Sequence, residues 1–351
     1  MQNIEQDKIT SSILSVDSLS VCYGSRKKPI KVVEDVSFDV SAGESLGIVG
    51  ESGSGKSQTM LAVLRLLGEG GEITSGNIVF DGRDIRSLSN HAMKRVRGNG
   101  IALISQDALS ALNPAMKVGR QMAEPLVVCD GMSNDASRRK CIDLLDRVGI
   151  HGAVSRLECY PHELSGGMRQ RVLIAMAISR NPKVLIADEP TTALDVTIQA
   201  QILDLIDDLR KDLGMGLVLI THDLGVVAGI ADRVSVMYGG RIVETGRTEQ
   251  IFDAPRHPYT VALLKSIPKI DQSKSERLSP IPGLPVDPRA PLPGCSFSAR
   301  CEYTKDSCTR SRPALLFAAA DGVHQFRCPV DPFGARPESD AENLSRSGGR
   351  G

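Results

Sequence analysis

Tryptophan is absent from the sequence, and aromatic residues make up only 3% of the 351 residues. Proteins that bind single-stranded nucleic acid stack bases on aromatic side chains, so this composition argues against such a surface. Basic and acidic residues number 42 each, which leaves a formal net charge of zero. A broad basic surface is therefore not expected either, and the sequence predicts no nucleic-acid partner.

Long apolar runs are also absent. A membrane-spanning helix needs about 18–20 apolar residues, whereas the run VLIAMAI at 172–178 is bounded by Arg171 and Arg180. The first residues, MQNIEQDKITSS, have neither the basic nor the apolar segment of a signal peptide. We therefore expect a chain that stays in the cytoplasm, where structural disulfides are rare. The eight cysteines then need another explanation.

The hydrophobic pattern predicts an α/β fold. Residues 13–23 and 32–40 alternate apolar and polar, as half-buried strands do. Short apolar runs typical of a parallel sheet covered on both faces follow at 45–50, 101–106, 184–187 and 217–221. A helix over 197–213 separates the last two runs, and the pattern between about 115 and 160 predicts an inserted helical lobe.

A phosphate-binding loop is predicted after the first apolar strand. GESGSGKS at 50–57 matches G-x-x-x-x-G-K-[ST] and lies between a strand and a helix. The glycines let successive N–H groups turn toward a phosphate at a helix N-terminus. Lys56 would contact the β- and γ-phosphates, and the Ser57 hydroxyl would ligate Mg²⁺. The candidate nucleotide-binding residues here are Gly50, Glu51, Ser52, Gly53, Ser54, Gly55, Lys56, Ser57 and Gln58.

Two carboxylates end a later apolar strand, in VLIADE at 184–189. Ligands bind at the carboxyl ends of parallel strands, so both acids are expected beside the phosphate loop. Asp188 is predicted to hold Mg²⁺, directly or through water. Glu189 is predicted to accept a proton from the attacking water or to orient it.

A third pattern, LSGGM at 164–168, opens a helix. A serine hydroxyl and glycine amides at a helix N-terminus form an anion site. Phosphate loop, LSGGMRQ, VLIADEP, TALD and THD follow one another in an order that resembles the ATP-binding cassette (ABC) family over about residues 12–250. The resemblance implies a P-loop NTPase cassette with a RecA-like parallel-sheet core, an N-terminal antiparallel β subdomain and an inserted helical subdomain.

The resemblance also implies residue roles. Ser165, Gly166 and Gly167 would contact the γ-phosphate of an ATP held by a second cassette, in a head-to-tail dimer. Gln106 resembles the loop glutamine that touches Mg²⁺ and senses the membrane partner. Asp195 resembles the residue that communicates across the dimer, and His222 the switch histidine on the γ-phosphate. Tyr23 resembles the aromatic residue that stacks on adenine, although an ordinary strand tyrosine is the alternative. Catalysis would then rest on Glu189, His222 and Lys56.

Segments 257–268 and 281–301 resemble a narrower group, the ATPase subunits of bacterial oligopeptide/dipeptide importers. That resemblance implies ATP and Mg²⁺ as ligands and a second, different cassette subunit as partner. It also implies two membrane permease subunits, indirectly a solute-binding protein, and a peripheral position on the cytoplasmic side of the inner membrane. Import of another solute, such as nickel or a glutathione- or opine-like compound, is one alternative. A non-transport cassette ATPase is the other.

Four cysteines remain, in the pattern C-x5-C-x6-C-x19-C: Cys295, Cys301, Cys308 and Cys328. Four cytosolic thiolates fit either Zn²⁺ or an iron–sulfur cluster. Zinc ribbons usually use C-x2-C pairs, which are missing here. The wider spacing and the family resemblance favour a [4Fe–4S] cluster with a structural role. Zn²⁺, and reduced thiols or an adventitious disulfide, are the alternatives.

The predicted domains follow from these patterns. Residues 12–254 form the nucleotide-binding domain, with a helical subdomain at about 107–165. Residues 255–335 form a Pro/Cys-rich C-terminal extension, expected to be an appended arm poor in regular structure. Residues 1–11 and 336–351 are expected to be disordered tails.

Overall fold

The computed structural model describes residues 12–25, 28–106, 111–192, 194–267, 281–318 and 322–333. The predicted disordered tails, 1–11 and 336–351, lie outside these ranges. Two sheets organise the chain, one of four strands and one of eight. The smaller is antiparallel and the larger mostly parallel, which confirms the predicted α/β cassette fold.

The four-stranded sheet is built near the N-terminus in the order β2-β1-β4-β5. Its strands are β1 Leu14–Ser25, β2 Lys28–Val40, β4 Glu72–Phe80 and β5 Arg83–Asp84. Leu14 and Val16 of β1 are buried on either side of the partly exposed Ser15, whereas residues 19–22 are all buried. Strand β2 begins at Lys28, which pairs with Ser25 at the end of β1, so both strands extend beyond the alternating segments 13–23 and 32–40.

The eight-stranded sheet has the order β11-β12-β10-β9-β3-β8-β7-β6. Neighbours from β9 to β6 run parallel. These parallel strands are β3 Ser45–Val49, β6 Ile101–Ile104, β7 Val184–Asp188, β8 Gly216–Thr221 and β9 Arg233–Tyr238. Because β3, β7 and β8 are adjacent and parallel, their carboxyl ends bring Gly50, Glu189 and His222 to one edge. The sheet thus assembles residues that are far apart in sequence.

Helices connect these strands. They are α1 Lys56–Val63, α6 Gly166–Ile178, α7 Val196–Leu213 and α8 Leu224–Ala228. Helix α1 ends at Val63, and two residues later Arg65 adopts the left-handed conformation (φ 53°), which terminates helices. None of the helices in the described ranges is both long and apolar enough to cross a bilayer.

The helical lobe lies between β6 and α6. Before β6 come α2 Asn90–Arg95 and one π turn, Val96–Gly100. The lobe itself contains α3 Val118–Val128, α4 Asn134–Arg147, α5 Ala153–Arg156 and a 3₁₀ turn, Pro161–Glu163. Cys141 is buried in its core, and burial raises the pKa of this thiol to about 11. It is a packing residue.

The C-terminal extension departs from the predicted arm. It contains α10 Pro258–Lys265, a 3₁₀ turn Ser298–Arg300, α11 Asp306–Arg310, β11 Leu316–Phe317 and β12 Gln325–Phe326. Strand β12 pairs with β10 (Arg241–Arg247), which is followed by α9 Thr248–Asp253. The extension therefore completes the core sheet rather than hanging from it.

A buried carboxylate explains why the extension docks here. Glu244 on β10 is fully buried. It accepts hydrogen bonds from the backbone N–H groups of Arg256 (2.7 Å) and His257 (2.9 Å) and lies 2.7 Å from His324 Nε2. A buried carboxylate is stable only when it is fully hydrogen-bonded, so Glu244 requires both parts of the extension. A solvent-exposed arm could not provide these partners.

Candidate functional site

The phosphate loop connects β3 to α1. Gly55 precedes the helix with φ 103°, a left-handed conformation that favours glycine, and a Cβ there would lie 2.8 Å from the Val32 carbonyl oxygen. The hydroxyl of Ser54 is buried and has no hydrogen-bond partner among the described residues. Buried polar atoms are almost always paired, so this oxygen fits a loop that encloses a polar ligand.

Lys56 is the buried cation of the site, with 4% of its surface exposed. Its Nζ donates to the carbonyl oxygens of Gly50 (2.6 Å) and Glu51 (3.0 Å). Burial lowers the pKa of Lys56, whereas the nearby carboxylates of Glu189, Asp188 and Glu51 raise it. The ammonium therefore lies where the two strand ends and the loop converge.

Ser57 and Asp188 form a second pair. The Ser57 hydroxyl donates to Asp188 Oδ1 at 3.0 Å. Burial raises the pKa of Asp188, Glu189 adds to this effect, and the Ser57 hydrogen bond opposes it. A hydroxyl and a carboxylate side by side, both buried or half-buried, are the oxygen donors that Mg²⁺ prefers beside nucleotide phosphates. The residues present therefore fit this metal ion.

Glu189 lies at the centre of a polar cluster. Its backbone has φ 46°, an uncommon conformation for a residue other than glycine. Its Oε2 accepts hydrogen bonds from Gln106 Nε2 and the Thr192 hydroxyl, both at 3.0 Å, and its Oε1 lies 3.3 Å from His222 Nδ1. Thr192 was not predicted as a site residue, although a hydroxyl three positions after the carboxylate in DEPTT is the signal that could have found it.

Tyr23 lies beside the phosphate loop and forms a hydrogen bond with the residue that follows it, Gln58. Its hydroxyl donates to Gln58 Oε1 at 2.7 Å. The ring also packs closely against Gly71, where a Cβ would lie 2.8 Å from Tyr23 Cζ. Two residues predicted to bind nucleotide are thus in contact, and the stacking of Tyr23 on adenine stays a prediction.

The LSGGM and TALD residues lie apart from this cluster. Ser165 caps α6 by accepting a hydrogen bond from the Met168 N–H (3.3 Å), and Asp195 caps α7 in the same way through Ile198 (3.0 Å). A Cβ on Gly167 would lie 2.9 Å from Ile198 Cγ2, so the two caps pack together. Among the described residues, no hydrogen bond joins Ser165, Gly166, Gly167 or Asp195 to loop 50–58.

The four clustered cysteines line one small cavity, called here the cysteine cavity: Cys295, Cys301, Cys308 and Cys328. Its volume is about 10 Å³. All four are free thiols, and burial raises the pKa of Cys295 to about 11, with the other three adding to the effect. Within the described ranges, no three His, Cys, Asp or Glu side chains converge closely enough to hold a metal ion.

Comparisons with known proteins place this geometry in a family. The ABC transporter profile matches residues 33–192, and that of the C-terminal region of oligopeptide/dipeptide transporters matches residues 243–308. The dipeptide transport ATP-binding protein DppD of Escherichia coli (strain K12) is 47% identical over 323 residues, covering 92% of this chain and 98% of DppD. This chain belongs to the ABC transporter family. A putative peptide import ATP-binding protein of Brucella abortus (strain 2308) is 45% identical over 320 residues, covering 91% and 95% of the two chains.

Solved ABC cassettes share the fold. The ATP-binding cassette MJ0796, solved as a dimer in a post-hydrolysis state with ADP and Pi, has a TM-score of 0.60 at 25% identity and covers 67% of this chain and 98% of its own. The cassette cbiO1 of Clostridium perfringens, part of the transporter complex cbiONQ, has a TM-score of 0.60 at 29% identity and covers 69% and 91%. The predicted family and its ATPase activity, with ATP and Mg²⁺, are therefore confirmed.

Proposed function

We propose that this ABC cassette is the ATP-hydrolysing subunit of a bacterial importer of di- and oligopeptides. The observation that carries the proposal is the presence of two features in one chain. A complete cluster of Lys56, Asp188, Glu189 and His222 lies at the sheet edge. The region matching oligopeptide/dipeptide transporters completes the same sheet. The relatives named above are a dipeptide transport protein and a putative peptide importer.

The geometry supports a division of roles at the ATP site. Lys56, among buried carbonyl and carboxylate oxygens, would bind the β- and γ-phosphates. Ser57 and Asp188 would hold Mg²⁺, which neutralises phosphate charge when bound. Glu189 would take a proton from the attacking water or orient it, while Gln106 and Thr192 fix its Oε2. His222, 3.3 Å from Glu189 Oε1, would contact the γ-phosphate.

The second half of each ATP site would come from a partner cassette. Ser165 and Asp195 are exposed or half-buried helix caps, and Val196 beside Asp195 is 83% exposed, an unusual position for an apolar residue. A helix N-terminus with exposed N–H groups attracts phosphate. We propose a head-to-tail dimer in which Ser165, Gly166 and Gly167 face the ATP on the partner, and in which the partner is a related but different chain.

The remaining partners follow from the transport function. ABC ATPases of this kind work with membrane permeases; here we propose two permease subunits, an indirect link to a solute-binding protein and a position on the cytoplasmic face of the inner membrane. The proposed division is a nucleotide-binding domain at 12–254 and an extension at 255–335. Import of nickel or of a glutathione- or opine-like compound is the alternative on the same machinery. A non-transport role has no supporting feature in the described residues.

Uptake measurements test the transport function. In a host without other peptide importers, deletion of this chain is expected to lower ATP-dependent uptake of a radiolabelled dipeptide by at least about 10-fold. Uptake falls because transport needs ATP hydrolysis. The wild-type chain should restore uptake and the Glu189→Gln chain should not. Nickel and glutathione serve as control solutes. Loss of nickel or glutathione uptake with peptide uptake intact would replace the peptide assignment with the alternative.

We also propose that the cysteine cavity holds a metal centre, a [4Fe–4S] cluster with Zn²⁺ as the alternative. Four thiols line one cavity, and thiolates are the ligands that either group takes. The cavity volume of about 10 Å³ is close to the room that one water molecule needs. The thiol side chains would therefore have to rotate outward to enclose a four-iron cluster. Bound there, the group would cross-link the extension and supply no step of ATP hydrolysis.

Anaerobic purification tests the metal centre. A [4Fe–4S] cluster predicts a brown protein with absorption near ~400 nm and roughly four iron atoms per chain. The variant Cys308→Ser should lose this signal, whereas Cys141→Ser, which changes a buried thiol elsewhere, should keep it. One zinc per chain without colour would establish the alternative. Protein with neither metal would show that the four thiols act only as packing residues.

A further inference from the structure

Two side chains of the extension contact the phosphate loop at one residue, Glu51. Arg300 donates from Nη1 to Glu51 Oε2 (2.6 Å) and from Nη2 to Glu51 Oε1 (3.0 Å). The Tyr259 hydroxyl accepts a hydrogen bond from the Glu51 backbone N–H at 2.9 Å. The extension therefore fixes both the side chain and the main chain of the second residue of the loop.

Arg300 is held rigidly for this contact. Its side chain is 4% exposed, and its guanidinium carbon lies 5.8 Å from the centre of the Tyr238 ring and 5.9 Å from that of Phe297. It also donates to the carbonyl oxygens of Ile281 (3.2 Å) and Pro282 (2.8 Å). The hydrogen bonds to Glu51 raise the pKa of Arg300 above its ordinary value. A planar, pre-organised guanidinium loses little entropy when it pairs a carboxylate in two places.

The contact also has an electrostatic consequence. Glu51 is an acid within a loop that binds a triphosphate, and its side chain is only 26% exposed. An unpaired carboxylate there would repel the phosphates, since like charges at partly buried sites are weakly screened. Arg300 neutralises this charge. It thereby acts on ATP through Glu51 and not by direct contact.

The same two residues are next to wall residues of the cysteine cavity in sequence, although neither lines the cavity itself. Arg300 precedes Cys301, and Tyr259 follows Pro258; Cys301 and Pro258 both line the cavity. The ring of Phe297, another wall residue, lies 5.3 Å from both Tyr238 and Tyr259. Phe297 therefore contacts both side chains that hold Glu51, since the Arg300 guanidinium also lies 5.9 Å from its ring centre.

We propose that Arg300 and Tyr259 are positioning residues for ATP binding, acting through Glu51, and that they couple the order of the cysteine cavity to ATP affinity. This proposal rests on the proposed binding of ATP by Lys56 and its loop. Breaking the Arg300–Glu51 pair weakens ATP binding, and so does a change in the cavity wall. The turnover rate of bound ATP changes less than the affinity does.

Equilibrium binding of Mg-ATP to the full chain tests the positioning role. Arg300→Ala is expected to raise the Kd about tenfold, within the range of roughly 5- to 150-fold typical of coupled sites. Arg310→Ala, which changes an exposed arginine of the same extension, should leave the Kd within about twofold. In an E51Q background the Arg300→Ala effect should fall below about threefold, because the repelling charge is gone. A tenfold effect that persists in this background would overturn the role of Glu51.

Further variants keep the test decisive. Tyr259→Phe removes the acceptor of the Glu51 N–H and should raise the Kd about threefold with kcat nearly unchanged. Cys301→Ser should raise the Kd in the wild-type background and much less in the E51Q/R300A background.

If Arg300→Ala does not fold, as judged by thermal unfolding, Arg300→Lys replaces it, because lysine cannot form the two-point contact. Lys56→Ala must weaken ATP binding by about 100-fold or more in every case. Binding of wild-type strength in Lys56→Ala would refute the ATP-site assignment, whereas equal Kd values for Arg300→Ala and Arg310→Ala would refute only this coupling.

Discussion

Replacing Glu189 with glutamine will lower the steady-state ATP turnover of this cassette by at least about 100-fold, the lower end of what a general base contributes. Glutamine has nearly the same shape, so its amide oxygen can still accept the hydrogen bonds that Gln106 and Thr192 now donate to Glu189 Oε2. It has no carboxylate to take up a proton. The loss should therefore appear in kcat, while the Kd for ATP changes little.

Phosphate release from saturating Mg-ATP, with the Kd measured in parallel, checks this result. Glu249→Gln is the matched control, since it makes the same chemical change at an exposed position of α9. It should keep at least half of the wild-type rate. Turnover that survives Glu189→Gln would show that Glu189 neither accepts the proton nor positions the water, and would move that role to another group beside the phosphates.

Replacing Lys56 with alanine will weaken ATP binding by about 100-fold or more, since two charge-assisted hydrogen bonds to phosphate are each worth roughly 1.5–3 kcal/mol. The same change leaves Asp188 and Glu189 without the nearby cation that now offsets their charge. Both the lost hydrogen bonds and the unbalanced negative charge weaken the binding of the ATP triphosphate. Unlike Glu189→Gln, this change should therefore appear first in the Kd.

Titration with Mg-ATP measures this effect, with Lys94→Ala as the control. Lys94 is an exposed lysine in α2, away from the strand ends, and its removal should change the Kd by less than about twofold. A thermal unfolding curve of each variant separates loss of binding from loss of fold. Equal affinities for the Lys56→Ala and Lys94→Ala proteins would mean that the loop does not bind the triphosphate.

Local sequence patterns predicted the site residues that lie at the carboxyl ends of the parallel strands. The strand–loop–helix pattern around Lys56 and the apolar run before Asp188 are both visible in the sequence. The positions of Lys56 and Asp188 in the fold could therefore be predicted without knowing any contact. Adjacent parallel strands then place Gln106, Glu189 and His222 together, as observed. Thr192 was not predicted because it belongs to no strand and to no motif. A turn places its hydroxyl beside the Glu189 carboxylate.

Contacts of high sequence separation could not be predicted in this way. The Arg300–Glu51 pair joins residues 249 positions apart. No sequence pattern marks Glu244 as buried, yet it is fully buried and contacts the Arg256 N–H group and His324. Proline-rich segments carry no strand or helix period, so the sequence predicts residues 255–335 as an arm, whereas β12 pairs with β10 in the core sheet.

The two halves of the proposed ATP site differ in whether their residues meet within one chain. Lys56 and Glu189 meet within one chain, whereas Ser165 and Asp195 lie on α6 and α7 without a hydrogen bond to the loop among the described residues. Their proposed role therefore needs a second cassette. The extension, in contrast, reaches the ATP site within the chain, through Glu51.

Simultaneous measurement of ATP hydrolysis and peptide uptake tests the central claim most directly. Vesicles containing the assembled transporter, with ATP on the cassette side and labelled dipeptide on the other, should take up peptide in step with phosphate release. Vesicles carrying the Glu189→Gln chain should lose both by at least about 100-fold. Peptide uptake that continues when this chain cannot hydrolyse ATP would contradict its proposed role as the subunit that powers transport.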